Sequence, residues 1–179
     1  MKKQILMISA SPRKGGNSDA LCDQFAKGAK EAGHTVEKVF LRDKTIHYCT
    51  ACDYCRTSGG VCAHRDDMEE LLTKMEKAQV IVLATPVYFY TMDAQLKTMI
   101  DRTVARYSFL KNKEFYFIAT MADTDPKEME RTFEGLRGFT NCLSGAVEKG
   151  ALYGTSVWQK GDVQSTKLMR EAYEMGKHV

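Results

Sequence analysis

QILMISASPRKGGNS, residues 4–18, decides how the chain begins to fold. The apolar run Lys3–Ile8 predicts a strand, the Ser/Gly-rich Ser9–Asn17 a turn, and Ser18–Ala32 a helix. Leu21, Phe25 and Ala29 share one face of that helix, and Gly33 stops it. A strand handing over to a helix through a polar, glycine-containing turn is the opening unit of an α/β sheet. The helix start offers free N–H groups and a positive dipole end, which favour an anion. Around it, Ser9, Ser11, Asn17 and Ser18 supply neutral donors, and Arg13, after Pro12, a planar cation suited to phosphate oxygens. Gly15 and Gly16 let the backbone curl closely. The turn lacks both the Gly-Lys-Ser/Thr ending of a Walker A loop and the glycine spacing of a dinucleotide fingerprint. Ser and Asn would also suit a plain capped helix.

Outward from this unit the alternation continues. Strands are expected at Thr35–Phe40, Val80–Ala84, Phe115–Thr120 and Ala151–Trp158. Helices are expected from Asp66, with Met68, Leu71, Leu72 and Met75 as its stripe, from Asp93 to about Tyr107, from Asp125, and over Ser165–Lys177. Val80–Ala84 is apolar throughout, as befits a parallel strand covered on both faces. The series predicts one domain over 1–179: a three-layer α/β/α sandwich on a five-stranded parallel sheet. Its expected order, 2-1-3-4-5, is the flavodoxin-like one, with a crevice at the switch point between the first and third strands.

Two loops flank that crevice: Ser9–Asn17, and Thr85-Pro-Val-Tyr-Phe-Tyr-Thr-Met92. The three adjacent aromatics of the second cannot all face a core; a flat ring, a neighbouring loop or a subunit interface would give them partners. An anion on one side and a planar ring on the other describe a flavin mononucleotide better than a dinucleotide. SPRKGGNS after the first strand and TPVYFYTMDAQLKTMIDR after the third resemble the NAD(P)H-dependent FMN reductases of the flavodoxin-like superfamily. The resemblance covers most of the chain. CTACDYC followed by DDMEELL narrows it to the branch that includes the iron–sulfur flavoproteins.

The resemblance implies that Ser9, Ser11, Pro12, Arg13, Asn17 and Ser18 hold the FMN phosphate and that Pro86, Val87, Tyr88, Phe89 and Tyr90 border the ring. It also brings Thr120–Asp123 to the flavin from a third side. It implies NAD(P)H as donor, a quinone, nitro- or azo-aromatic as acceptor, and a homodimer or homotetramer that covers the flavin. The protein's task is then orientation, and no side chain is assigned as acid, base or nucleophile.

Residues 43–65 form a cysteine-rich insertion without periodicity, long for a connection in a compact domain. Cys49, Cys52, Cys55 and Cys62 read C-x2-C-x2-C-x6-C. Zinc sites more often pair two C-x2-C units a dozen or more residues apart, whereas three cysteines at successive three-residue steps with a fourth nearby suit [4Fe–4S] ligation. A cluster, a zinc ion and unliganded thiols are all open to this segment. Because it leaves the second strand's carboxyl end, it is expected on the flavin side. Cys22 and Cys142, isolated in helical patterns, read as small core residues, and His47 and His64 as surface positions.

Net charge is +3 and dispersed, which gives no case for nucleic acid, and no apolar run is long enough for a membrane-crossing helix. No secretory leader is legible at the start, so the simplest compartment is the cytoplasm, where thiols stay reduced. Three functions follow. The first is an FMN-dependent oxidoreductase. The second is an electron carrier with FMN and a [4Fe–4S] cluster, reduced by ferredoxin. The third is a non-catalytic binding module with structural zinc.

Overall fold

The computed structural model describes all 179 residues. Five parallel strands form the sheet: β1 Gln4–Ser9, β2 Thr35–Phe40, β3 Val80–Tyr88, β5 Glu114–Thr120 and β6 Val147–Gly154. Their order is β2-β1-β3-β5-β6, the expected 2-1-3-4-5 once the five parallel strands are numbered in chain order. A sixth, two-residue strand, β4 (Thr91–Met92), pairs antiparallel with the end of β3. The helices are α1 Asn17–Glu31, the single turn α2 Tyr54–Thr57, α3 Met68–Lys77, α4 Ala94–Arg102, α5 Glu130–Asn141 and α6 Leu168–Lys177. No helix is long and apolar enough to cross a membrane.

Side chains alternate across the pleat, so each central strand feeds two cores. Leu6, Ile8, Ile81, Leu83, Phe115 and Phe117 pack toward α3, α4 and α5. Ile5, Met7, Val80, Val82, Tyr116 and Ile118 pack toward α1 and α6. Helices α1 and α6 meet backbone to backbone: a Cβ at Gly28 or Gly176 would collide with the facing main chain.

Several expected elements shift. The loop predicted over Thr85–Met92 is a strand end, a two-residue turn and β4. Phe89 and Tyr90 form the turn with φ of 49° and 64°, and Thr85 Oγ1 accepts the Asp93 N–H across its base at 3.1 Å. The helix from Asp93 ends at Arg102 and unwinds into 3-10 turns over Thr103–Ala105 and Tyr107–Phe109, which leaves Val104 half-exposed. The last strand is Val147–Gly154 rather than Ala151–Trp158. It is a sheet edge whose first three residues, Val147, Glu148 and Lys149, are exposed, two of them charged, so its start carries no apolar run. Cys22 is buried as expected, and desolvation pushes its thiol up to about 12. Cys142 is exposed at the end of α5, not in the core.

Candidate functional site

The carboxyl ends of β1, β3, β5 and β6 converge on one cavity of about 120 Å³. Its floor is the loop between β1 and α1. Asp19, buried in the first turn of α1, accepts from Ser9 Oγ at 3.1 Å and from the Gly15 N–H at 2.9 Å. Burial alone would raise the Asp19 carboxyl, but the Lys38 ammonium and the Gly15 and Ser9 donors more than offset it and hold it below the usual carboxylate range. The loop is thus fixed from beneath. A Cβ on Gly16 would stand 2.6 Å from Ser11 Oγ and 3.1 Å from the Arg13 carbonyl. That curl brings the N–H groups at the start of α1 to the cavity. Ser18 Oγ, also lining it, is buried with no hydrogen-bond partner.

The opposite wall is Pro86, Val87 and Tyr88, and the third is Thr120, Met121 and Ala122. The fourth, Val157 and Trp158, comes from the segment after β6. Asn17 builds this wall: its Nδ2 donates to the Gln159 carbonyl at 2.9 Å and its Oδ1 accepts from the Gly161 N–H at 3.1 Å. Arg13 Nη1 donates to the Trp158 carbonyl at 3.1 Å.

Of the residues expected at the flavin, Ser11, Arg13, Asn17, Ser18, Pro86, Val87, Tyr88 and Thr120 line this cavity. Ser9 lies beneath the loop with its hydroxyl on Asp19, and Pro12 is exposed on the loop's outer side. Phe89 and Tyr90 stand outside the lining, Phe89 fully exposed at the hairpin tip and Tyr90 under the Arg131 guanidinium, 5.5 Å from its ring centroid. The amide of Asn17 is committed to the protein rather than free for a ligand. Met121 and Ala122 line it within the expected approach of Thr120–Asp123, whereas Val157 and Trp158 were not expected as wall residues, and no local pattern marks them. Only the Trp itself, a large apolar side chain left 64% exposed, distinguishes the segment.

A second cavity, about 190 Å³, is lined by all four clustered cysteines. Positive φ at Ala51 (52°) and Asp53 (56°) winds the segment around it, and Gly59 and Gly60 turn it back. Cys55 and Cys62 are half-buried, Cys49 and Cys52 exposed, and no three His, Cys, Asp or Glu side chains close on a common point. The far wall is Arg102, Val104 and Ala105. Arg102 is 2% exposed and forks onto Asp66, with Nη1–Oδ2 at 2.7 Å and Nη2–Oδ1 at 3.0 Å. Burial would raise the Asp66 carboxyl; the Arg102 fork and the His47 and Met68 N–H groups outweigh it and hold it well below the carboxylate range. His64, expected at the surface, is half-buried and stacks on His47 with centroids 5.4 Å apart. Two nitrogens in this wall, Arg102 Nε and His64 Nε2, are buried without a partner. Four thiols with unspent nitrogens among them suit a sulfur-ligated centre that accepts hydrogen bonds.

The two cavities share no lining residue. The cysteine loop does leave β2's carboxyl end, but it packs over the C-terminal end of α4, whereas the aromatic hairpin enters that helix at its N-terminus. The nine residues of α4 span about 13 Å.

Residues 3–139 match the model of a family described as NADPH-dependent FMN reductase. An iron–sulfur flavoprotein of Archaeoglobus fulgidus is 44% identical over 95 residues, covering 53% of this chain and 43% of the relative. The chain thus matches less than half of that relative's length. A second Archaeoglobus fulgidus protein of the same description is 32% identical over 94% of this chain and 89% of its own. The azoreductase structure from Bacillus anthracis superposes over the full length of both chains with a TM-score of 0.78 at 17% identity, which establishes the common fold.

Proposed function

The chain belongs to the NADPH-dependent FMN reductase family, and on that basis we propose that it is an oxidoreductase holding FMN in the cavity between the β1 and β3 loops. Bound FMN supplies the redox chemistry, taking a hydride from NAD(P)H and yielding electrons to a small acceptor such as a quinone, nitro- or azo-aromatic. The observation that carries this reading is Ser18, which lines the cavity at the start of α1 with its Oγ buried and unpartnered. A buried hydroxyl with nothing to bond is costly, and a phosphate oxygen satisfies it together with the helix N–H groups. Ser11 and Arg13 complete the anion cradle. Pro86–Tyr88 and Thr120–Ala122 then form the walls for a planar ring, and Trp158 caps the mouth. Phe89 and Trp158, both exposed beside this mouth, support a second copy of the chain as its cover, in a homodimer or homotetramer.

The cysteine cavity favours one addition. Cys49, Cys52, Cys55 and Cys62 hold a [4Fe–4S] centre rather than zinc, so that the protein also serves as an iron–sulfur flavoprotein able to accept electrons from a ferredoxin. The shared cavity, its unspent nitrogens and the names of the relatives support this over a zinc site.

Titration of the apoprotein with FMN, followed by flavin fluorescence, tests the first reading; saturable quenching at one flavin per chain is expected. Anaerobic addition of NADPH or NADH should then bleach the flavin absorbance. Bleaching by dithionite but by neither nucleotide would reject the nicotinamide step, and absence of quenching would reject the site itself.

A further inference from the structure

Arg102 ties the cysteine segment down at both ends. Its Nη1 donates to the His47 carbonyl at 2.6 Å, just before Cys49, and its fork holds Asp66, four residues beyond Cys62. Asp66 in turn accepts from the His47 N–H at 3.0 Å and the Met68 N–H at 3.2 Å. With both Nη groups committed, the planar guanidinium cannot swivel, so its Nε–H has a fixed direction. That Nε is the unpartnered one, in a side chain that lines the thiol cavity together with Cys62. A buried cation with a wasted donor costs more than a neutral group would. The arrangement makes sense if the donor is meant for something the cysteines hold.

We infer that Arg102 tunes the centre bound by the four cysteines, giving it one sulfur-directed N–H and one fixed positive charge, with Asp66 setting how much of that charge the centre feels. The inference rests on the iron–sulfur reading above. Reduction by one electron adds negative charge to the sulfur-held centre, and hydrogen bonds and net charge around the sulfurs set the potential at which it occurs. Arg102 therefore raises that potential. Asp66, directly opposite, lowers it. A side chain that only braced the loop would not have a counterpart acting with the opposite sign.

The test uses the 179-residue chain reconstituted anaerobically with ferrous iron and sulfide, titrated electrochemically with electron paramagnetic resonance as readout. Arg102→Lys keeps a cation for Asp66 but loses the Nε–H. At the wild-type midpoint its oxidised-to-reduced ratio should move about tenfold toward oxidised, about 59 mV for one electron. Asp66→Asn leaves Arg102 in place with its charge unbalanced, and should move the ratio by a similar factor the other way. Lys97→Gln, an exposed charge on the same helix, should change it less than twofold. If Arg102→Lys does not fold, as judged by circular dichroism, Asp66→Asn decides alone: a raised potential supports the role and an unchanged one overturns it. Shifts within twofold of wild type, or in the same direction for both variants, overturn the role of Arg102 while leaving the iron–sulfur reading intact. A wild-type chain that takes up no iron and sulfide overturns both.

Discussion

Ser18 and Asp93 each bury a polar side chain with one oxygen unpaired, but they stand in different relations to the site. Ser18 lines the cavity with its Oγ unpartnered, so on the proposed function its missing partner is a ligand atom. Replacing it by Ala should cost the apoprotein nothing, and the lost burden of an unsatisfied hydroxyl should raise stability by up to about 1 kcal/mol. FMN affinity should fall about tenfold, near 1.4 kcal/mol. Thermal melts of the apoprotein and a fluorescence titration separate the two effects. Asp93 is fully buried at the start of α4, where Oδ1 accepts the Leu96 N–H at 3.1 Å and Oδ2 has nothing. Desolvation outweighs that bond and the Thr85 hydroxyl and raises the carboxyl from 3.8 to about 7. The folded chain thus holds this proton more tightly than the unfolded one. Its contribution to stability is complete below about pH 3.8 and is lost as pH rises through about 7. Asp93→Asn keeps the cap and removes the charge. Its melting temperature should exceed wild type at pH 8, by at most about 4 kcal/mol of stability, and converge with wild type toward pH 4.

The hairpin of β3 and β4 shows what a local pattern can and cannot reveal. Val87 faces Met92 and Tyr88 faces Thr91, so the two-residue turn is Phe89-Tyr90, both at positive φ. Such a turn normally takes Asn-Gly, because other residues are strained in the left-handed region. Adjacent aromatics with high strand propensity therefore read as a loop rich in rings rather than as a tight turn, and the hairpin was not legible. The β1–loop–α1 unit was, since Ser and Gly punctuate it and a clean apolar stripe follows. The cavity walls contributed by that unit and by Pro86–Tyr88 followed from it. Replacing Phe89-Tyr90 with Asn-Gly should relieve about 2 kcal/mol of strain and raise the melting temperature by roughly 5 °C. Phe89 loses no burial in the exchange, being fully exposed. FMN affinity and turnover should fall, because the exchange removes the exposed Phe89 ring proposed to meet a covering copy beside the cavity mouth. A variant that is neither more stable nor weaker in FMN binding would deny the hairpin this stored strain and its place at the flavin.

At the scale of the whole molecule, topology was legible because apolar strands and striped helices alternate regularly, and the right-handed crossover rule leaves few ways to arrange them. What escaped were contacts between distant segments. The wall that Asn17 builds with Gln159 joins residues 142 apart, and Arg102 reaches the cysteine loop 55 residues upstream at His47. Neither pairing leaves a periodic trace in the chain, and an Asn at a helix start and an Arg at a helix end each have a commoner local use. The same long-range architecture makes the two cavities separable. They share no lining residue, and α4 stands between the aromatic hairpin and Arg102. Changes in one should add to changes in the other rather than couple with them. The double variant Cys52→Ser, Cys55→Ser removes two of the four thiols and should abolish retention of iron, measured by metal and sulfide assay. FMN affinity should stay within about twofold of wild type, and so should the rate at which NAD(P)H bleaches the flavin. A fall in FMN affinity of about tenfold in that variant would mean that the cysteine segment takes part in the flavin site, through a second copy of the chain, since within one chain nothing in the cavity walls connects them.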